Sequence, residues 1–529
     1  MSTVSDGYDI PNSGRRRFIL SAVATAMLCY LGRSRVAFAD EVKLLAAPDT
    51  PIFNDSVNAI EKIILQVSHD VWNTPELSHQ EEKSSKIHKD VLVNNGFTIT
   101  STGTSGIPTA FVAEWSQGEG GPIIGYLPEY DALPGLKNAA EPRQDSQDTT
   151  NSSPGHGCGH NMLGASCTGA AIALRNIMLK ENLNGKIRVY GCAAEETEGA
   201  KVYMARDGLF NDLDACLAWH PAPMTATGLL KTSAVNMLRI RYHGQTAHAG
   251  ISPWEGRSAL KGAELFGIGI QFIREQLTPT TRLHYVYTHS GETPNVIPDF
   301  AEVIIMVRGV NRQEVESVTK IVQDIAKGAA LQSQTREEIE LFFGMHDLLP
   351  NEALSRRILQ HISTLPHEWS DEEQQFAKQC QREMKLNETG LMTHALPFLP
   401  EMTTGGSTDV GDVSYNAPVG IFAWTTMPVD VGLHTWPVTA CGGMSIGDKA
   451  TLNAAKVLTG VGYDIITNAD FRAQVKADFE KRKGSYQYQS PLPEGRKRPD
   501  GIPAHLLLRD GTGELTDELY MLKELNIKV

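Results

Sequence analysis

The chain has 529 residues, too many for one hydrophobic core and enough for two or three domains. Hydrophobic residues at 41% and charged residues at 21% are those of an ordinary soluble globular enzyme. The net charge is −14, and residues 1–39 contribute +3, so the remainder carries −17, which argues against nucleic acid or anionic lipid as a partner.

The N-terminus is set apart. Arg15-Arg16-Arg17-Phe18 opens an apolar stretch that runs to Leu31, and Ala37-Phe38-Ala39 precedes Asp40. A charged start, a short apolar run and a small-x-small site read as a twin-arginine export signal, giving a periplasmic or otherwise exported protein. Cleavage is expected rather than anchoring, because an apolar run of about 13 residues falls short of the roughly 20 a spanning helix needs. The six cysteines beyond Cys29 are too sparse for a disulfide framework and read as buried thiols and one ligand.

From 51 to about 95 apolar residues such as Ile60, Ile64, Val67 and Val71 recur at helical spacing. Strands are expected over 109–115, 122–127 and 186–192, and the last two flank a helix over 162–179. Strand, helix, strand reads as a βαβ unit and hence an α/β sheet. The polar stretch 137–154 is a loop leading into a glycine-rich motif. A second rhythm begins near Ala234, with a strand over 237–242, a helix over 256–275, strands over 283–288 and 301–308, a helix over 314–330 and a strand over 338–343. That order, βαββαβ, is ferredoxin-like and describes a domain inserted into the larger one. Helices over 351–365, 372–386 and 445–458 and a strand over 419–424 resume the α/β pattern. From Ser485 the chain is rich in Pro, Gly, Lys and Arg and is expected to wrap loosely on the surface. The expected division is 1–39, 40–233, 234–345, 346–484 and 485–529.

In Gly155-His156-Gly157-Cys158-Gly159-His160 a tight turn can aim Cys158 and His160 at one centre. Glu195-Glu196, Trp219-His220 and Leu433-His434-Thr435 follow, each at the end of an apolar strand-like run. Thiolate, imidazole and carboxylate are the ligands of a borderline-soft ion such as zinc or manganese. A carboxylate beside a ligand carboxylate is what metal-assisted hydrolysis needs as a general base. Any one of these residues alone is as easily an ordinary loop residue; the ordered set points to a metal site. Glycine-rich flanks and widely scattered ligands suit an accessible centre better than a closed structural clip.

Over 53–493 the chain resembles the M20 metallopeptidase and amidohydrolase family, most closely its aminoacylase and hippurate hydrolase branch. The resemblance is carried by motifs at 155–161, 190–196, 219–221, 247–249, 407–414 and 433–436. It implies an α/β fold: a mixed-sheet di-metal hydrolase domain with the inserted domain as lid and dimerisation element. It further implies that Cys158, His160, Glu196, His220 and His434 hold two divalent ions per subunit, manganese or zinc, with Cys158 shared. Glu195 takes the general-base place. His248 reaches an active site, commonly the neighbouring subunit's, where it stabilises the oxyanion. Asn295 and Arg308 match residues that hold substrate, and Arg308 can grip a carboxylate bidentately. His156 reads as a residue behind the ligands. Glu129 stands where other branches have a ligand His and is not counted as a ligand, whereas Asp131 is expected to bond a ligand imidazole.

The activity implied is hydrolysis of the amide bond in N-acyl or N-aroyl amino acids, with p-aminobenzoyl-glutamate the leading substrate. A dipeptidase or carboxypeptidase of the same family is the nearest alternative. A non-catalytic periplasmic binding protein is a more distant one, opposed by the carboxylate pair Glu195-Glu196. The expected partner is a second copy or a related chain.

Overall fold

The structure is a computed structural model that describes Pro48 and residues 50–145 and 153–500. The segment read as an export signal, part of the 137–154 loop and residues 501–529 lie outside the described residues. The first strands are β1 (Thr98–Thr102), β2 (Phe111–Gln117), β3 (Ile123–Tyr126), β4 (Gly185–Gly191) and β5 (Ala215–Ala222), with helix α1 (His160–Glu181) between β3 and β4. After β6 (Gly228–Lys231) come β7 (Ala234–His243), helix α2 (Ala259–Ile273), β8 (Arg282–His289), β9 (Phe300–Gly309), helix α3 (Arg312–Ser333) and β10 (Arg336–Met345). The chain returns through β11 (Leu399–Thr403), β12 (Val419–Thr425) and helix α4 (Ser445–Thr467).

Six strands form one mixed sheet in the order β1-β2-β4-β3-β5-β12. Strands β4, β3, β5 and β12 run parallel, while β2 is antiparallel to both of its neighbours. From central β3 the chain passes through α1 to β4 on one side, then crosses to β5 on the other. Helices α1 and α4 pack against this sheet and each other. Buried along nearly its whole length, α1 is apolar all round. It is apolar and long enough to cross a membrane by composition, yet 83% of that window is buried in the domain, so it is a core helix. Its Gly169 permits the approach of a neighbouring helix, since a Cβ there would lie 2.5 Å from Ile64 Cγ1.

The insertion forms a separate antiparallel sheet in the order β10-β7-β9-β8. Side chains alternate across its faces. Leu238, Ile240, Val303 and Ile305 pack under α2 and α3 in a core of their own, and the intervening residues face the other way.

Three segments depart from the sequence expectation. The helical stretch 51–95 is three helices, Thr50–Ala59, Glu61–Asn73 and Glu82–Asn94, with Pro75 in the second gap. Proline has no N–H to continue a helix, and the break lets Ser78 and Glu81 reach the sheet. Ser78 Oγ donates to Asp131 Oδ2 at 2.8 Å, and Glu81 Oε1 accepts from the Ala194 N–H at 2.7 Å. Residues 485–500 are anchored rather than loose: Tyr486 Oη lies 2.8 Å from His346 Nε2, Tyr488 Oη donates to Asp412 Oδ1 at 2.9 Å, and Leu492 is buried. Before them runs a helix that the sequence pattern does not announce, Ala469–Lys483, which buries only Phe471, Val475 and Phe479.

Candidate active site

Parallel α/β sheets place their sites beyond the carboxyl ends of the strands, where neighbouring connections leave in opposite directions. Here β3 is that strand. Glu129 and Asp131 follow β3, Glu195 and Glu196 follow β4, and His220 lies near the end of β5. Cys158 and His160 arrive on the turn into α1, and His434 on the loop after β12. The turn requires glycine: Gly159 has φ +77°, and a Cβ on Gly155 would sit 2.1 Å from the Leu136 carbonyl oxygen. Ala194 and His434 are left-handed without being glycine, with φ 58° and 61°, at a cost of about 1–2 kcal/mol each. Backbone bonds hold both in place. The Ala194 carbonyl accepts from the Gly199 N–H at 2.8 Å, and the His434 N–H donates to the Gly157 carbonyl at 2.8 Å.

Two triads share Cys158. One is Cys158, His160 and His220; the other is Cys158, Glu196 and His434, with the ligand atoms of each within 4.8 Å of one another. Cys158 Sγ lies 3.5 Å from His220 Nε2, and Glu196 Oε1 lies 3.3 Å from His434 Nε2. A third group of the same compactness is Glu129, His160 and Glu195. In it His160 Nε2 is 3.3 Å from Glu129 Oε2 and 3.9 Å from Glu195 Oε2. Two buried atoms here, His160 Nε2 and Glu129 Oε2, lack a hydrogen-bond partner among the described residues. Buried polar atoms are seldom left so. A cation beside them would satisfy both, and the sulfur, nitrogen and oxygen donors of the cluster suit zinc or manganese. The residues present therefore fit divalent ions.

Asp131 sets the orientation of His160. Its Oδ1 lies 2.9 Å from His160 Nδ1, while Oδ2 accepts from Ser78 and from the Glu196 N–H at 3.0 Å. That commits Nδ1 and leaves Nε2 to face the cluster. His156 lies behind the turn, with Nε2 3.1 Å from the Val71 carbonyl, and belongs to neither triad.

The charges of the cluster are strongly biased. Burial works to raise Asp131, but the charge and hydrogen bond of His160 outweigh it and hold this carboxyl at about 2. Burial, then Glu129 and Asp409, push Glu195 well above the usual carboxyl range. Glu196 goes the other way: burial opposes, but the hydrogen bond from His434 and the charge of His160 lower it. Burial pushes the Cys158 thiol up and pulls His220 down, so His220 is a neutral imidazole, the form that ligates.

The cluster opens on a cavity of about 910 Å³ roofed by the outer face of the inserted sheet. Arg308 lines it and donates to Ser407 Oγ at 2.8 Å. His248 and Asn295 do not line it; both are exposed on the insertion, joined through the Ala249 N–H to the Asn295 carbonyl at 3.0 Å. Within one chain, His248 and Asn295 are thus not brought to the ligands. Two participants are not evident from sequence. Glu129, which the family pattern does not count as a ligand, shares a group with His160 and Glu195, and its other oxygen, Oε1, meets the buried ammonium of Lys201 at 2.8 Å. The one signal for Lys201 is a lone charge in the otherwise apolar run Ala200–Met204.

Residues 233–334 match the family model for the M20 peptidase dimerisation domain. The chain is 33% identical over 469 residues to one of the chains of p-aminobenzoyl-glutamate hydrolase from Escherichia coli (strain K12), covering 83% of this chain and 97% of that protein. It is 28% identical over 445 residues to a Homo sapiens Xaa-Arg dipeptidase, covering 80% and 90%. Among solved structures, a dinuclear metal-binding M20 peptidase from Bacillus subtilis shares the fold, with a TM-score of 0.52 at 17% identity over 77% of this chain and 99% of that one. The fold with its candidate metal groups and this insertion is that of the M20 family, hydrolases acting on amide bonds, and the chain belongs to that family of amidohydrolases and peptidases. Within the family it is similar to the Escherichia coli p-aminobenzoyl-glutamate hydrolase chain along most of its length.

Proposed function

We propose that the protein is a two-metal amidohydrolase of N-acyl or N-aroyl amino acids, with p-aminobenzoyl-glutamate-like substrates favoured. The observation that carries this reading is the pair of triads sharing Cys158, with Glu195 next to ligand Glu196 yet outside both. The names of the Escherichia coli relative and of the Bacillus subtilis structure support the substrate and the metal count respectively.

Manganese or zinc ions in the triads would polarise the amide carbonyl and acidify the attacking water. Glu195 takes the proton from that water and delivers it to the leaving nitrogen. Burial, then Glu129 and Asp409, raise its proton affinity, which favours drawing a proton from water. Asp131 keeps the His160 ring in the orientation that presents Nε2. Arg308, beside Ser407, offers its guanidinium to the substrate carboxylate. His248, exposed on the insertion, holds the oxyanion in the site of a second protomer, either a copy of this chain or a related one, and Asn295 beside it contacts the same substrate. Export through the twin-arginine route rests on the sequence from Arg15 to Ala39.

The test is a hydrolysis screen of the purified protein loaded with manganese or zinc. The panel contains p-aminobenzoyl-glutamate, hippurate, N-acetyl amino acids and dipeptides. Turnover of the acyl conjugates is expected. Hydrolysis confined to dipeptides would replace this reading with that of a dipeptidase.

A further inference from the structure

The outer face of the inserted sheet is sorted by chemistry. Val235 on β7, Arg308 on β9 and Arg282 on β8 stand opposite one another in one row. Met237, Met306 and His284 form the adjacent row. All six line the cavity that holds Cys158 and His434. Directly opposed residues keep their Cβ atoms about 4.5–5.5 Å apart on one face. The roof is therefore apolar over β7 and cationic towards β8.

Neighbouring guanidiniums repel, and a protein that sets them together ordinarily supplies counter-charges. This sheet does so outside the cavity. Further along the same face of β7, Arg239 meets Glu340 at 2.8 Å, and Arg241 meets Glu302 at 2.9 Å and Glu338 at 2.6 Å. Inside the cavity it does not. Among the described residues no carboxylate lies within ion-pair distance of Arg282, His284 or Arg308. Arg308 donates to Met306 Sδ, Ser407 Oγ and the Gly405 carbonyl; Arg282 donates to the Pro279 and Thr281 carbonyls. Desolvation, then the guanidiniums of Arg308, Arg274 and Arg282, pull His284 below its ordinary pKa, which places it in the same positive field.

We infer that Arg282, with His284, forms a second carboxylate subsite beside Arg308, which makes this enzyme selective for N-acyl conjugates of acidic amino acids. The inference rests on the amidohydrolase reading above. Arg308 takes the α-carboxylate and Arg282 the side-chain carboxylate, so that the two substrate charges neutralise the two guanidiniums. A conjugate of a neutral amino acid leaves Arg282 uncompensated, and a basic one adds to the repulsion.

The experiment compares p-aminobenzoyl-glutamate with p-aminobenzoyl-glutamine, which differ only in the side-chain charge, on the metal-loaded full chain. The glutamate conjugate should lead by about tenfold to a hundredfold in kcat/KM, the range of a charge-assisted hydrogen bond. Arg282→Gln should erase that ratio, whereas Arg308→Gln should slow both conjugates and keep it. Arg282 is exposed, so its replacement leaves folding intact. A second readout is calorimetric binding of the two conjugates to Glu195→Gln protein with and without Arg282→Gln. Equal rates for the two conjugates, or a ratio that survives Arg282→Gln, would overturn the subsite. If neither conjugate nor any other acyl amino acid of the panel is hydrolysed, the amidohydrolase reading fails. Calorimetry then decides the subsite: tighter glutamate-conjugate binding that is lost in Arg282→Gln upholds it, and equal binding overturns it.

Discussion

The ammonium of Lys201 lies 2.5 Å from Asp409 Oδ1, although the two residues are 208 positions apart, and both are wholly buried. Asp409 Oδ2 also accepts from the Lys201 N–H at 3.0 Å. One cation thus bridges Asp409 and Glu129, the two carboxylates that raise the proton affinity of Glu195. The pair also fastens the two parts of the catalytic domain on either side of the insertion.

Lys201→Met should destabilise the fold by about 3–5 kcal/mol, because breaking a buried pair leaves carboxylates uncompensated. Denaturant unfolding measures this. An unchanged midpoint would mean that Asp409 and Glu129 accept protons at no cost.

Glu195→Gln should lower kcat by about 10²–10⁴-fold, the usual contribution of a positioned base, while metal content stays near that of the parent. Cys158→Ala should lose metal and activity together. Metal analysis beside an activity assay separates the two variants. Full metal loss in Glu195→Gln would make that residue a ligand.

Metal affinity should rise with pH. Burial raises the Cys158 thiol above its ordinary value, and only the thiolate ligates, so binding releases a proton and acid competes with metal. Chelator competition at about pH 6 and about pH 8 should show the tighter complex at the higher value. The opposite order would remove Cys158 from the ligands.

On the proposed twin-arginine route the pair serves as an address, so replacing Arg15 and Arg16 with Lys should strand the protein in the cytoplasm. Cell fractionation checks this, and normal export of the double variant would point to another route.

His248→Ala and Glu195→Gln protomers should complement each other when dimers are mixed and re-formed. If the proposed partner is a second copy, each homodimer lacks one group at every site while a mixed dimer has one intact site, so up to about half of its sites recover. No recovery would rule out a second copy of this chain as the protomer whose site His248 enters.

The inserted domain is legible in the sequence because its strands send alternate residues into a core of their own. Leu238 and Ile240 alternate with Met237, Arg239 and Arg241, and that alternation shows in the letters of the chain. The glycine-rich turn is equally plain, since Gly155 and Gly159 have backbone reasons to be glycine. The helix Ala469–Lys483 is not, because charges surround it and only Phe471, Val475 and Phe479 mark a face. Segment 485–500 misleads by composition: its anchors are Tyr486, Tyr488 and Arg496, whose partners His346, Asp412 and Glu198 come from three distant stretches. Lys201, and with it the role of Glu129 in the cluster, is hidden for the same reason. A buried charge has meaning only beside its partner, and Asp409 is far away in sequence.

Cys158 and His220 are only 62 residues apart, so the donors of the first triad are all present once the first part of the catalytic domain has been synthesised. The second triad waits for His434, which follows the whole inserted sheet and β12. Contacts between distant segments form later than local ones. The two triads therefore draw on different lengths of the chain: the first needs only residues before the insertion, the second also a residue after it. A chain arrested before His434 carries the complete donor set for a single ion.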